Sequence, residues 1–447
     1  MRNNSSLGKL VLLFMVFALI VAACGDSTDT DDNTATTVAD AGDGGGSAAE
    51  AACDADPFGC VEVGDGEAIT IGTLLVISGP NASLGQDSQN GVVMAADKLD
   101  GTFDGTNGEL LGRAIAFNHQ DDGCSAEGGQ AGAQALAADP STVGVVGTSC
   151  SSAALGVADT ILSDKGIAII SPSNTGPALT EASQHQEFYL RTAHNDKLQG
   201  AAVAKFAYNE LGARSAATIH DGSPYADGLQ AVFADTFEAL GGTITVREAI
   251  QVQETDFTSV LTSIGADSPD VLYFPIFAAE GGLITQQARQ TDGLTDTTLI
   301  GSDGMLSADY VAAAGDAVEG VYLSGPDLSA FTGDQDFYEG EFKTAYLELW
   351  GGEPAAAFHA HSYDAANMLF DAIEEVAIDE GGTLFIPRTA LKDALFATSG
   401  VTGITGTLNC NDLGDCQSTA TIAVYQVLGG NYDTANPVYS EVASLDG

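Results

Sequence analysis

Basic residues are scarce in this chain: 14 Lys and Arg stand against 62 Asp and Glu, a formal charge of −48 at neutral pH. So acidic a surface repels nucleic acid and anionic membranes. It keeps the chain soluble and says nothing specific about a ligand. Catalytic motifs are missing as well. There is no Gly-x-Ser-x-Gly elbow, no P-loop and no His-Glu-x-x-His pair. The histidines are His119, His185, His194, His220, His359 and His361. His359 and His361 are close in sequence, but no third ligand stands near them, and exposed positions at a helix start explain both. The cysteines include no Cys-x-x-Cys pair with a nearby His, so a tetrahedral zinc set is not completed. These absences argue against an enzyme, and no cofactor is called for.

What is present begins at the N-terminus. Met1-Arg2 and Lys9 precede an apolar run from Leu10 to Ala23, the n-region and h-region of a signal peptide over 1–23. The run is too short for a comfortable membrane span. It ends in Val21-Ala22-Ala23-Cys24-Gly25, which resembles a bacterial lipobox with Cys24 as the lipidated residue. Residues 24–52 then read as the lipidated cysteine and a flexible acidic tether, because Asp, Thr, Gly, Ala and Ser bury too little apolar surface to order a chain. Such a coil reaches roughly 30 Å.

The seven cysteines leave six once Cys24 is set aside. An even set in an exported chain reads as disulfides. Six cysteines allow 15 pairings. Short spacing favours Cys53–Cys60 and Cys410–Cys416, which leaves Cys124 with Cys150.

From Ala68 onward short apolar runs alternate with helical stretches, and the rhythm restarts after Arg191. This pattern predicts βαβ units and parallel sheets. The length beyond the tether exceeds one core, so two lobes are expected. Strands are expected at 69–77, 114–118, 143–146 and 167–170, then at 215–220, 243–249, 271–274, 298–300 and 318–324. A single helix is expected over Ala153–Asp164.

Ligands of open parallel sheets bind beyond the carboxyl ends of the strands. Ser149, Ser151 and Ser152 follow one strand and open a helix, where free N–H groups suit a carboxylate; plain N-capping is the alternative. Ser171, Ser173 and Thr175 follow the next strand. Tyr225 and Phe277 follow two strands of the second unit, and Asp303 lies between glycines after a third. Asp303 can hold an ammonium group or serve a turn. Hydroxyls from one unit and a single carboxylate from the other are the two poles that an α-amino acid needs.

Those stretches, together with Ile77-Ser78-Gly79-Pro80, Asp121-Asp122-Gly123-Cys124, Ile170-Ser171-Pro172-Ser173-Asn174-Thr175, His220 to Tyr225, Asp256-Phe257, Gln287-Ala288-Arg289 and Gly301-Ser302-Asp303-Gly304, resemble the branched-chain amino acid-binding family, type I periplasmic binding proteins of ABC transporters. The similarity runs from Ala68 to Val376. It implies an α/β fold of two doubly wound parallel-sheet lobes joined by three crossovers, with residues 53–191 and about 326–404 in the first lobe and 192–325 and about 405–447 in the second. It supports Cys124–Cys150 as a disulfide. It implies that Ser151, Ser173 and Thr175 bind the α-carboxylate, that Asp303 binds the α-ammonium, that Tyr225 and Phe277 close over the ligand, and that Leu84 and Phe358 line its side-chain end. Leu84, Phe277 and Phe358 stand where close members often carry Tyr or Trp, and Asp303 where they carry Glu. The implied role is capture of a small amino acid, branched-chain or similar, for an ABC permease, by an extracytoplasmic monomer held at the membrane by its lipid alone. Binding of an amide, urea or aromatic acid, or sensing for a receptor, is the alternative.

Overall fold

Strands rich in Val, Ile and Leu with almost no polar alternation have to be covered on both faces, and the computed structural model of the chain, which describes residues 47–445, covers them with helices. The segments expected to be a signal peptide, the lipidated Cys24 and a tether lie, up to residue 46, outside the described residues. Residues 48–52, read from composition as tether, are helical: α1 (Ala48–Ala55) is capped by Ser47 and Glu50 in a reciprocal capping box, and Ala49 is buried. Local capping overrides the low hydrophobicity here.

The first sheet is built from β1 (Ile69–Leu75), β2 (Glu109–Leu110), β3 (Arg113–Asp121), β4 (Thr142–Gly147), β5 (Ala168–Ser171) and β6 (Tyr189–Arg191), in the spatial order β2-β3-β1-β4-β5-β6. All neighbours are parallel except the short β2–β3 edge. Helix α2 (Ala82–Asp97) follows β1 and α3 (Ala126–Ala138) follows β3. The helix expected over Ala153–Asp164 is broken. Leu155 (ψ 113°) and Gly156 (φ 72°) leave helical space between Ser151–Ala153 and Asp159–Ser163. Gly156 takes the left-handed turn without a Cβ penalty.

The chain then crosses to a second sheet of β7 (Ser215–His220), β8 (Thr243–Ala249), β9 (Val271–Tyr273), β10 (Thr298–Gly301), β11 (Tyr322–Pro326), β12 (Thr419–Leu428), β13 (Asn431–Tyr432) and β14 (Tyr439–Ser444). Its order is β13-β12-β11-β10-β9-β7-β8, with β14 also on β12. The strands β7 to β11 run parallel, and β12 and β14 form an antiparallel margin. Helices α4 (Asp196–Lys205), α5 (Pro224–Ala239) and α6 (Ala278–Ala288) cover this sheet. After Pro326 the chain returns to the first core, where α7 (His359–Val376) packs on α2. It crosses once more before Thr419, so three crossovers join two doubly wound α/β lobes.

Among the described residues three disulfides are present: Cys53–Cys60, Cys124–Cys150 and Cys410–Cys416. The loop closed by the last one docks on β6. Arg191 N donates to Gly414 O at 2.8 Å, and Cys416 N donates to Arg191 O at 3.0 Å. Among the described residues no helix is long and apolar enough to cross a membrane.

Candidate functional site

The loops after β4 and β5 are sewn together before any ligand is considered. Ser171 Oγ donates to Thr148 O at 2.7 Å, and Asn174 Nδ2 donates to the same carbonyl at 2.9 Å. Ser173 Oγ donates to Ser149 O at 2.9 Å, and Gly176 N donates to Ser151 Oγ at 3.2 Å. Beneath them, Asp122 accepts from Ser149 N at 2.6 Å and Cys124 N at 2.7 Å. Its burial still pushes the carboxyl up to about 7, against those N–H donors.

Arg191 fixes the outer half of the second loop. Its side chain is fully buried, paired with Asp415 at 2.6 Å, and it donates to Asn174 O, Gly176 O and Thr180 Oγ1. A buried guanidinium needs this full set of acceptors to offset its desolvation. The crossover therefore holds the loop that carries Thr175.

The second lobe contributes an acid and two rings. Asp303 follows β10 and is 5% exposed. Its Oδ1 accepts from Gln199 Nε2 and from Tyr225 Oη, both at 2.8 Å. Tyr225 Oη in turn meets Ser302 Oγ at 2.7 Å and accepts from Gly304 N at 3.2 Å. Phe277 packs on Tyr225 with centroids 5.3 Å apart. A Cβ at Gly304 would lie 2.8 Å from Ile276 O and 3.2 Å from the Phe277 ring, so only glycine lets the rings approach.

The two lobes meet at these groups. A Cβ at Gly176 would stand 3.0 Å from Ser151 Oγ and 3.9 Å from Tyr225 Cα. Thr175 O accepts from Asp196 N at 3.0 Å at the start of α4. Asp196 is the residue that sequence reasoning missed. It is fully buried, and neither of its carboxylate oxygens has a hydrogen-bond partner within the described residues; nor has Thr175 Oγ1. Burial, then the charge of Asp303, push the Asp196 carboxyl well above the usual range, while Thr175 and Arg191 oppose the shift. Burial also raises Asp303, with His194, Tyr225 and Gln199 holding it back. Native proteins rarely leave buried polar atoms unpaired, so a concentration of them marks a place for an outside partner. Two adjoining carboxylates in a dry site call for a cation.

Of the residues expected from sequence, Ser151, Thr175, Tyr225 and Asp303 are thus linked through Gly176 and Asp196. Leu84 and Phe277 line a cavity of about 10 Å³ with Asp303, Gly304 and Ala356. Ser173 spends its hydroxyl proton on Ser149 O of the neighbouring loop. Phe358 is buried away from that cavity, stacked on His194 at 6.2 Å. The two helix-start histidines are buried rather than exposed. His359 Nδ1 lies 2.9 Å from Asp87 and its Nε2 lies 2.8 Å from Tyr338 Oη, so it ties helices together. Among the described residues no group of three or more His, Cys, Asp or Glu is placed to hold a metal.

The model of the periplasmic binding protein family matches residues 68–431. A Leu/Ile/Val-binding protein of Rhizobium johnstonii is 29% identical over 327 residues, covering 73% of this chain and 83% of that protein. The Leu/Ile/Val-binding protein homolog 1 of Brucella abortus is 30% identical over 305 residues, 68% of this chain and 77% of that protein. The solved leucine-binding protein of Thermotoga maritima superposes with a TM-score of 0.72 at 25% identity, over 85% of this chain and 99% of that one. A solute-binding protein of R. palustris in complex with benzoate shares the fold at 19% identity, with a TM-score of 0.69 over 85% of this chain and 97% of that one. These are substrate-binding proteins, not enzymes.

Proposed function

Because the chain belongs to the periplasmic binding protein family, we propose that it captures a small α-amino acid, branched-chain or similar, between its lobes and delivers it to an ABC importer. The observation that carries this reading is the buried pair Asp196 and Asp303 beside the unpartnered Thr175 hydroxyl. The pair suits an α-ammonium. Ser151 and Thr175, with the N–H groups of their loops, suit the α-carboxylate. Leu84 and Phe277 supply apolar wall, and Tyr225 joins the acid to the closing lobe. The names of the relatives, which bind leucine, isoleucine and valine, point to the same ligand class.

The mechanism is a population shift. Ligand held by the first-lobe loops gains Tyr225 and Asp303 only when the lobes close, so binding favours closure. A permease then reads the closed pair. In the same proposal the protein is an extracytoplasmic monomer tethered by lipid on Cys24.

A thermal-shift screen of the full-length protein against the twenty amino acids, simple amides, urea and benzoate tests the reading. A ligand that binds only the folded state raises the melting temperature by mass action. Leucine, isoleucine or valine should shift it, and Asp303→Ala should abolish the shift while still melting cooperatively. Shifts confined to amides or aromatic acids, or an Asp303→Ala protein that responds like wild type, would refute the amino-acid assignment.

A further inference from the structure

His194 sits in the first crossover, fully buried, with its ring stacked on Phe358. Its Nε2 is 2.6 Å from Gln199 Oε1. The other end of that amide, Gln199 Nε2, is 2.8 Å from Asp303 Oδ1 and 3.1 Å from Ser324 Oγ. An amide has one donor end and one acceptor end, so the two contacts are bound together. With nitrogen toward an ionised Asp303, oxygen faces His194 and requires a donor there. The neutral imidazole then carries its proton on Nε2. The reversed amide would set an oxygen against Asp303, which demands a protonated acid, and would move the imidazole proton to Nδ1. Nδ1 has no partner among the described residues, and an orphaned buried N–H is rarer than an orphaned acceptor. The geometry therefore favours the first arrangement.

We infer that His194 is a positioning residue for ligand capture: its Nε2–H pins the Gln199 amide with the donor end on Asp303, and so keeps that carboxylate an acceptor for the ligand's ammonium. The inference rests on the amino-acid reading of the site. The charged and titratable groups around the relay are Asp303 and Asp196, Arg191 in β6, His361 in α7, and Tyr225 and Tyr273 from the second lobe. Burial lowers the His194 pKa, which keeps the ring neutral as the tautomer argument requires. Sequence alone does not single out either residue, since a histidine before a helix start and a glutamine within it are ordinary surface choices.

Two measurements test the relay. In the full-length wild type labelled with ¹⁵N-histidine, the two-bond nitrogen–proton spectrum should show His194 protonated at Nε2; protonation at Nδ1 overturns the proposal without any substitution. Calorimetry with L-leucine should show His194→Phe and Gln199→Leu each weakening binding about tenfold. The double variant should bind no more weakly than Gln199→Leu, because the histidine acts only through the amide. The acid limb of binding should move to higher pH in both single variants. Unchanged affinity and acid limb in His194→Phe, or losses that multiply in the double variant, defeat the relay. A wild type that binds no α-amino acid strikes the site reading instead, and the tautomer measurement stands independently of it.

Discussion

Asp196 and Asp303 are held in a fold that does not favour their ionisation. Both carboxyls have folded pKa values raised by burial, so at neutral pH their charges destabilise the ligand-free protein. Replacing Asp196 with Asn removes one charge and keeps the shape. The ligand-free Asp196→Asn protein should melt above wild type. Its leucine affinity should fall about tenfold or more, the loss expected for one charge-assisted contact. Melting curves with and without leucine check both halves, and a variant that melts lower while binding normally would show that Asp196 serves the fold instead. Asp303 is legible in the sequence because the strand-end rule points to it. Asp196 is not, because an acid in the first turn of a helix is the ordinary solvent-facing complement to the helix dipole. Only the return of the chain over Thr175 buries it.

At the scale of elements, the apolar runs carry most of the legible information. Six buried residues in succession over Thr142–Gly147 announce an internal parallel strand, and the observed strand begins and ends within a residue of its apolar run. The short margins are illegible. Glu109–Leu110 and Asn431–Tyr432 are strands only because a neighbour offers them a ladder. The break at Leu155 and Gly156 is equally hidden, since both flanks have helical composition. Helix crossings are set by glycines whose role appears only in three dimensions. A Cβ at Gly91 in α2 would lie 2.2 Å from both His359 O and Ser362 Oγ in α7. Neither atom can retreat, as Ser362 Oγ donates back to His359 O at 2.8 Å. Gly91→Ala should therefore cost about 2 kcal/mol of stability through overpacking. Urea unfolding measures it; a neutral result would mean that the two helices slide apart freely.

The whole molecule answers pH in two opposite ways. Burial raises Asp122 and Asp159 to about 7 and Asp364 to about 6, all above the 3.8 of the unfolded chain. Between those values the folded protein binds protons that the unfolded chain has released, so stability falls as pH rises from about 4 toward 7 and levels off above. The formal charge of −48 acts in the same direction, because partial protonation relieves self-repulsion. Asp121, Asp139 and Asp270, whose pKa values are lowered, work the other way and cost stability only as pH falls below the ordinary carboxylate range. Burial also lowers the pKa values of His119, His185, His194 and His361, so below the ordinary imidazole value of 6.5 the unfolded chain binds more protons at these groups and the gain is opposed. The ligand-free protein should accordingly melt higher at pH 6.5 than at pH 8. Ammonium capture runs against this trend. Asp196 and Asp303 must be ionised to hold it, and their raised pKa values place their protonation above the range of ordinary carboxylates. The stabilisation added by leucine should shrink over the same descent in pH that strengthens the bare fold. Melting curves taken at pH 6.5, 7 and 8 with and without leucine separate the two responses. If they rise and fall together, the acids that govern stability are not the ones kept apart for the ligand. If they diverge, the same physical term, charge buried away from water, weakens the empty protein and is relieved by the ammonium it was placed to bind.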